Sequence, residues 1–201
     1  MKVFLTVLVF IFSLQSITKA DDIKDFEIEG ISVGDNLLNH AETIGVTKQF
    51  IKDRRFTFYP ASKRLGLLAF KDEGNYNTYY KIQVTVDTKD YKIHRIGGYV
   101  SILNKNDCLN KQKSIIKDLE SFFTSYQKIE DIEFTSHPGD ESGKSIANGI
   151  YLDLPSGETA MVECYIWSDE YREKKGGHED NLRVTLSSKE GNDFINFEAY
   201  D

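Results

Sequence analysis

Proline is scarce: three residues in 201 exclude a proline-rich linker and argue against a long disordered tail. Cysteine is scarcer still. Two residues are too few for a dense disulfide framework or a cysteine-rich zinc cluster, and a chain of this length buries a core without either. Basic charge is in deficit, with 25 Lys and Arg against 32 Asp and Glu and a formal net charge of −7. That balance, with an isoelectric point near 5.2, offers no electrostatic footprint for nucleic acid or anionic lipid. None of the asparagines sits in an N-x-Ser/Thr sequon, so no glycosylation acceptor is marked. Beyond residue 20, no apolar run approaches the ~20 residues of a transmembrane helix.

What is present, 28% charged and 40% hydrophobic residues, is the composition of one ordinary globular domain. The chain opens Met1-Lys2, runs apolar from Val3 to Phe12, and reaches a small residue, Ala20, before Asp21-Asp22. A cationic start, a short apolar run and a small residue read as a secretory signal over residues 1–20, cleaved near Ala20. The run is too short for an anchor, and no cysteine follows Ala20 for lipid attachment. Residues 21–201 are then a single domain without a membrane span, placed in the periplasm or outside the cell. Lys far outnumbers Arg and Ile far outnumbers Ala, a bias of AT-rich genomes that carries no chemistry.

Cys108 and Cys164 are the only cysteines, and an exported protein meets an oxidising compartment. The default is one disulfide between them. It would close a loop of 56 residues, worth roughly 4 kcal/mol in the chain-entropy treatment. A catalytic thiolate would need a histidine nearby and a lowered pKa. His40, His94, His137 and His178 show no family spacing to either cysteine, so the structural staple is the better reading.

Residues Asp25 to Glu29 alternate apolar and acidic side chains as a short strand does. Asp35 to Gly45 reads as a helix, with Asp35 as N-cap, Leu37, Leu38, Ala41 and Ile44 at helical spacing, and Gly45 as the stop. Strand-like pieces follow at Arg55–Tyr59, Leu65–Phe70 and Tyr79–Val86, and the turn Asp87–Asp90 leads into Tyr91–Leu103 as a hairpin. Asn106 to Gln127 is the best helix: Ile115, Leu119, Phe122 and Tyr126 share a stripe with Ile116 and Phe123 beside it, and Asn106 or Asp107 can cap it. After a polar stretch from Thr135 to Ser145, Gly149–Leu154 and Glu158–Trp167 form a second hairpin around Pro155-Ser156-Gly157. A charged loop, Ser168–Asp180, precedes the alternation of Leu182, Val184 and Leu186, and Phe194–Tyr200 reads as a last strand. Hairpin-length connections without crossover helices predict an α+β fold: a mainly antiparallel sheet of about eight short strands, with two helices packed on one face.

Several motifs suggest chemistry. Gly30-Ile31-Ser32-Val33-Gly34 matches the G-x-S-x-G nucleophile pattern, but too little mature chain precedes it to build an oxyanion platform. A strand-to-helix turn using glycine is the simpler account. Gly139 to Ser145 resembles a phosphate loop one residue short, with Pro138 where the first glycine belongs, and reads as a flexible polar loop. His137 with Asp140, and His178 with Glu179 and Asp180, lack zinc or calcium spacing and read as solvated charged loops. Tyr76, Tyr79, Tyr80, Tyr91 and Tyr99 cluster around the first hairpin, and Tyr165 and Trp167 lie on the second. Such rows either half-bury in a sheet or, if exposed, bind glycans or peptides.

The stretch from Asp22 to Leu38 (DIKDFEIEGISVGDNLL), with Ile96-Gly97-Gly98 and Cys108 ahead of its helix, resembles uncharacterised exported proteins of small-genome, AT-rich marine bacteria. The resemblance covers the first half of the chain and implies an envelope address. That family has no established activity, so it supplies no catalytic, cofactor-binding or metal residues.

Two functions remain. The first is a soluble, non-enzymatic binding module whose partner is an envelope protein or a glycan, needing no cofactor, because no nucleophile, metal or cofactor constellation assembles in the sequence. The alternative is a periplasmic hydrolase whose site, with Ser32 or a His/Asp pair, forms only in three dimensions.

Overall fold

The computed structural model describes residues 22–176 and 178–200; the signal read over residues 1–20 lies outside them. A first hairpin pairs β1 (Glu27–Ile28) with β2 (Ile31–Ser32). Its two turn residues, Glu29 and Gly30, both have positive φ, 52° and 73°, the backbone of a type I′ hairpin turn. Then come α1 (Lys48–Asp53), β3 (Thr57–Phe58), β4 (Leu65–Lys71), β5 (Lys81–Asp87) and β6 (Ile93–Ser101). The long helix α2 (Lys105–Phe122) leads to β7 (Gln127–Glu130), β8 (Thr135–Ser136), β9 (Ile146–Asp153) and β10 (Thr159–Ile166). The chain ends in α3 (Asp169–Lys175), β11 (Asn181–Ser187) and α4 (Lys189–Phe197).

The architecture is α+β. Nine antiparallel strands form one sheet in the order β3-β4-β5-β6-β11-β10-β9-β7, with β8 also on β9. Successive residues of a strand face opposite sides, so the register sorts the side chains. Ile82 and Val84 of β5, Ile96 of β6, Val184 and Leu186 of β11, Ala160, Val162 and Cys164 of β10, and Ile150 and Leu152 of β9 share the face under α2. Helix α2 buries Cys108, Gln112, Ile116 and Leu119 toward them, an i, i+4, i+8, i+11 stripe. Gln112 is tolerated in that stripe because its amide donates to the Asn148 and Val162 carbonyls at 3.2 and 2.9 Å. The β1–β2 hairpin seals the same face through Phe26, whose ring lies 4.9 Å from that of Phe123. Cys108 and Cys164 are both fully buried, with sulfurs 2.05 Å and Cα atoms 5.9 Å apart, a disulfide distance joining helix to sheet.

Three segments differ from the sequence reading. Asp35–Gly45 forms only a 3-10 turn at Leu37–His40, capped by Asn36. Its backbone is diverted to the sheet: Gly34 and Leu37 donate to the Ile93 and Tyr91 carbonyls, and Ile93 donates to that of Asp35. Residues Phe194–Tyr200 contain the end of α4 rather than a strand. Ser188 caps that helix by accepting from the Gly191 N–H, and of the three aromatic residues, spaced three apart, Phe194 is buried while Phe197 and Tyr200 are exposed. The charged loop 168–180 contains α3, capped by Ser168. In α2 the cap is Asn104, which accepts from the Asp107 N–H.

Helix α4 lies against the opposite face of the sheet, near β6 and β11. The approach requires Gly191, where a Cβ would meet the His94 carbonyl at 2.7 Å and Arg95 Cγ at 2.8 Å. The rest of that second face carries the candidate site.

Candidate functional site

On the second face the register aligns one cross-strand row. Lys71 pairs with Lys81, Lys81 with Tyr99, Tyr99 with Arg183, Arg183 with Glu163, and Glu163 with Gly149. Three of these six positions are cations, in a chain whose net charge is −7. Lys71 and Lys81 sit directly opposite each other, an arrangement that costs free energy between like charges. Lys81 Nζ lies 3.6 Å from the centroid of the Tyr99 ring. Burial, then Arg183 and Lys71, push the Lys81 pKa down. Among the described residues, neither lysine closes an ion pair.

Arg183 is compensated. Its Nε and Nη2 donate to Glu163 Oε2 at 3.0 and 2.6 Å, and Nη2 also donates to the Tyr165 hydroxyl at 2.6 Å. The Tyr165 hydroxyl donates in turn to Glu163 Oε1 at 2.8 Å. Burial works to raise the Glu163 carboxyl, but Arg183 and the Tyr165 hydroxyl more than reverse it and hold the group below the usual carboxylate range. Burial pushes the Tyr165 phenol well above its ordinary value. Two rows further along, Arg95 has no carboxylate partner among the described residues; its Nη2 lies 3.8 Å from the Met161 sulfur.

At the end of β10 the aromatic residues converge. Trp167 stacks near-parallel with Tyr165 (5.5 Å, 7°) and with Tyr171 of α3 (5.0 Å, 13°). His137 and His178 each approach Trp167 to 4.8 Å between ring centroids. Two carboxylates organise this cluster. Asp180 accepts from the Trp167 backbone N–H at 2.8 Å and pairs with Arg172 of α3. Asp140 accepts from the Ser142 N–H and hydroxyl, the Ser145 N–H and the Ser168 hydroxyl. Those hydrogen bonds hold the Asp140 pKa far below the usual carboxylate range and tie the loop that carries His137 to the cap of α3. The stretch 139–145, read as a flexible loop, is therefore a hydrogen-bonded turn that follows β8. His137 Nδ1 accepts from the Gly139 N–H, so its proton sits on Nε2. Burial and then Arg183 push its pKa down, and burial and then Lys81 do the same to His178. Both rings are neutral at neutral pH.

Between the aromatic cluster and the two lysines lies a groove of about 850 Å³. It is lined by Trp167, Tyr171 and His178 at one end, Lys71 and Lys81 at the other, and Arg183 on its floor. A smaller cavity of about 370 Å³ lies on the other face between α2, β1 and β11, walled by Phe26, Ile28, Leu119, Val184 and Leu186. Those are core side chains, and nothing there selects an occupant.

Of the seven aromatic residues singled out in the sequence, Tyr80, Tyr99, Tyr165 and Trp167 line the groove. Tyr79 instead packs over Gly98 on the α2 face, 2.6 Å from where a Cβ would stand, and Tyr76 and Tyr91 pack against the main core. The structure brings His137 and His178 together on Trp167, although they lie 41 positions apart. Among the described residues, no group of three or more His, Cys, Asp or Glu is placed to hold a metal. Sequence reasoning missed Tyr171, Lys71, Lys81 and Arg183. The alternation of polar with apolar residues in β5 and β11 was a signal for one shared face, but only the register shows that the cations align.

Ser32 is buried, and its hydroxyl donates to the Phe26 carbonyl at 3.1 Å. Asp35 is close, yet it accepts from the Ser32 N–H at 3.0 Å and pairs with His40 at 2.9 Å. In a nucleophilic triad the histidine stands between serine and carboxylate; here the carboxylate stands between backbone and histidine, and the hydroxyl is committed to a carbonyl. Ser32→Ala is expected to cost about 1 kcal/mol for the lost hydrogen bond and to leave function unchanged. Labelling of Ser32 by a fluorophosphonate probe would contradict this.

Comparison of the chain with known protein families, with curated proteins and with solved structures finds no match to any of them.

Proposed function

We propose that this chain is an exported, non-enzymatic binding module that holds a ring-bearing polar ligand in the groove on its second sheet face. The observation that carries the reading is the convergence of Trp167, Tyr165, Tyr171, His137 and His178 at one end of a groove large enough for a small ligand. Binding sites commonly join such aromatic surface to a few convergent polar groups. The arrangement around Ser32 gives the hydrolase alternative no base on its hydroxyl. Export is supported by the cationic and apolar start of the chain and by the disulfide-distance cysteine pair.

Trp167 is the chain's single tryptophan among eleven tyrosines, so fluorescence excited selectively at tryptophan reports on the groove. Titration with a panel of soluble saccharides and other ring compounds is expected to give a saturable change in Trp167 emission. Tyr171→Ala, which removes one stacked ring, is expected to weaken that response by about three- to tenfold. Emission that stays flat across the panel would end the binding-module reading.

A further inference from the structure

We infer that the occupant of this groove is an acidic saccharide, its carboxylates lying on Lys71 and Lys81 and its sugar rings against the Trp167 cluster. The inference rests on the binding-module reading above and names the ligand class of that same site.

The first support is a charge imbalance. The second face holds Lys71, Lys81, Arg95 and Arg183, of which only Arg183 has a carboxylate partner among the described residues. Two acidic residues also line the groove. Asp72 is committed to its own turn, accepting from the N–H groups of Gly74, Asn75 and Tyr76. Glu179 raises the Lys81 pKa from a distance but closes no ion pair with it. An acidic protein that aligns unpaired cations in a concave surface concentrates anions there, because the low-dielectric walls focus the field. The repulsion between Lys71 and Lys81 is relieved when a carboxylate bridges them.

The second support is a pair of orphaned polar atoms in the groove wall. Asn181 is 4% exposed, and among the described residues its Oδ1 has no hydrogen-bond partner; nor has the buried Trp167 Nε1–H. Both residues line the groove. An unpaired buried acceptor and donor cost about 1–3 kcal/mol each and call for a ligand that carries both functions. Sugar hydroxyls donate and accept, whereas a sulfate or halide ion offers no donor for Asn181. Aromatic surface, a donor, an acceptor and a cationic end together describe a sugar ring bearing a carboxylate.

The test is a set of Trp167 fluorescence titrations using a short oligogalacturonate, a neutral galactan oligomer of equal length and a glutamate peptide of equal charge. The oligogalacturonate is expected to bind at least about tenfold more tightly than either control, on the strength of charge-assisted hydrogen bonds, and to weaken as salt rises. The double variant Lys71→Gln/Lys81→Gln is expected to lose that advantage over the neutral oligomer while its melting temperature holds or rises. Equal binding of the acidic and neutral oligomers would overturn this inference and leave the binding-module reading standing. Equal binding of the peptide would overturn the saccharide assignment. A double variant that melts earlier and binds unchanged would return the lysines to a structural role. No response to any probe would remove both readings.

Discussion

Arg183→Ala is expected to destabilise the protein by about 3–5 kcal/mol, the range found when one partner of a buried ion pair is removed. At this chain length that lowers the melting temperature by roughly 6–20 °C. Glu163 is 9% exposed, on the interior strand β10, and without Arg183 its carboxylate would lose its ion pair and keep the Tyr165 hydroxyl and the more distant Arg95. The penalty belongs to the stranded charge rather than to the pair's net worth. Accordingly, the double replacement Glu163→Leu/Arg183→Met should recover most of the loss. The pH dependence carries a sign. The Glu163 carboxyl lies below its ordinary 4.5 in the folded chain, so the unfolded chain binds its proton first on acidification. Its contribution is therefore complete above pH 4.5 and is lost as pH falls below that value toward the folded pKa. Thermal melts of wild type and both variants from neutral to acidic pH test this. A single variant within 1 kcal/mol of wild type would show that the row tolerates an unpaired carboxylate.

Breaking the Cys108–Cys164 link is expected to cost about 4 kcal/mol, because it frees a 56-residue loop in the unfolded chain. That is roughly 8–16 °C in melting temperature. The loop spans most of α2, the strands β7, β8 and β9, and much of β10, so both ends of the link are core elements. The paired replacement Cys108→Ala/Cys164→Ala avoids burying a new hydroxyl. Helix α2 should stay docked in this variant, since Ile116 and Leu119 remain buried and Gln112 still bonds two strand carbonyls. Far-UV circular dichroism should then match wild type below the transition. The intact mass of natively produced protein checks the bond and the export reading together: a chain beginning at Asp21 and two hydrogens short of the dithiol form is expected. Two titratable thiols in unreduced protein would refute the link, and a chain retaining Met1 would refute cleavage.

The sequence by itself determined the α+β class, the two hairpins, the long helix and the cysteine pair, because each rests on local periodicity or simple counting. Alternation in Ile82, Val84 and Val86, and in Leu182, Val184 and Leu186, survives any neighbour, and the apolar stripe of α2 exceeds what a loop could carry. Where a segment's fate depended on distant partners, the reading failed. Residues 34–37 gave up a helical pattern to pair with 91–93, and Phe194–Tyr200, read as a strand, carries the end of α4 and places Phe194 beside Leu65 and Tyr59. The site belongs wholly to that second category. All its tyrosines except Tyr171, and its tryptophan, were visible as a list, but strand register decided that Tyr99 and Tyr165 face the groove, while Tyr79, which precedes β5, turns to the core. Register likewise aligned Lys71, Lys81 and Arg183, which come from three strands that the sequence separates by as many as 112 positions. A shift of one residue in any of these pairings would have moved its cation to the opposite face. Charge and aromatic content are properties of the chain; their convergence is a property of the nine-stranded sheet.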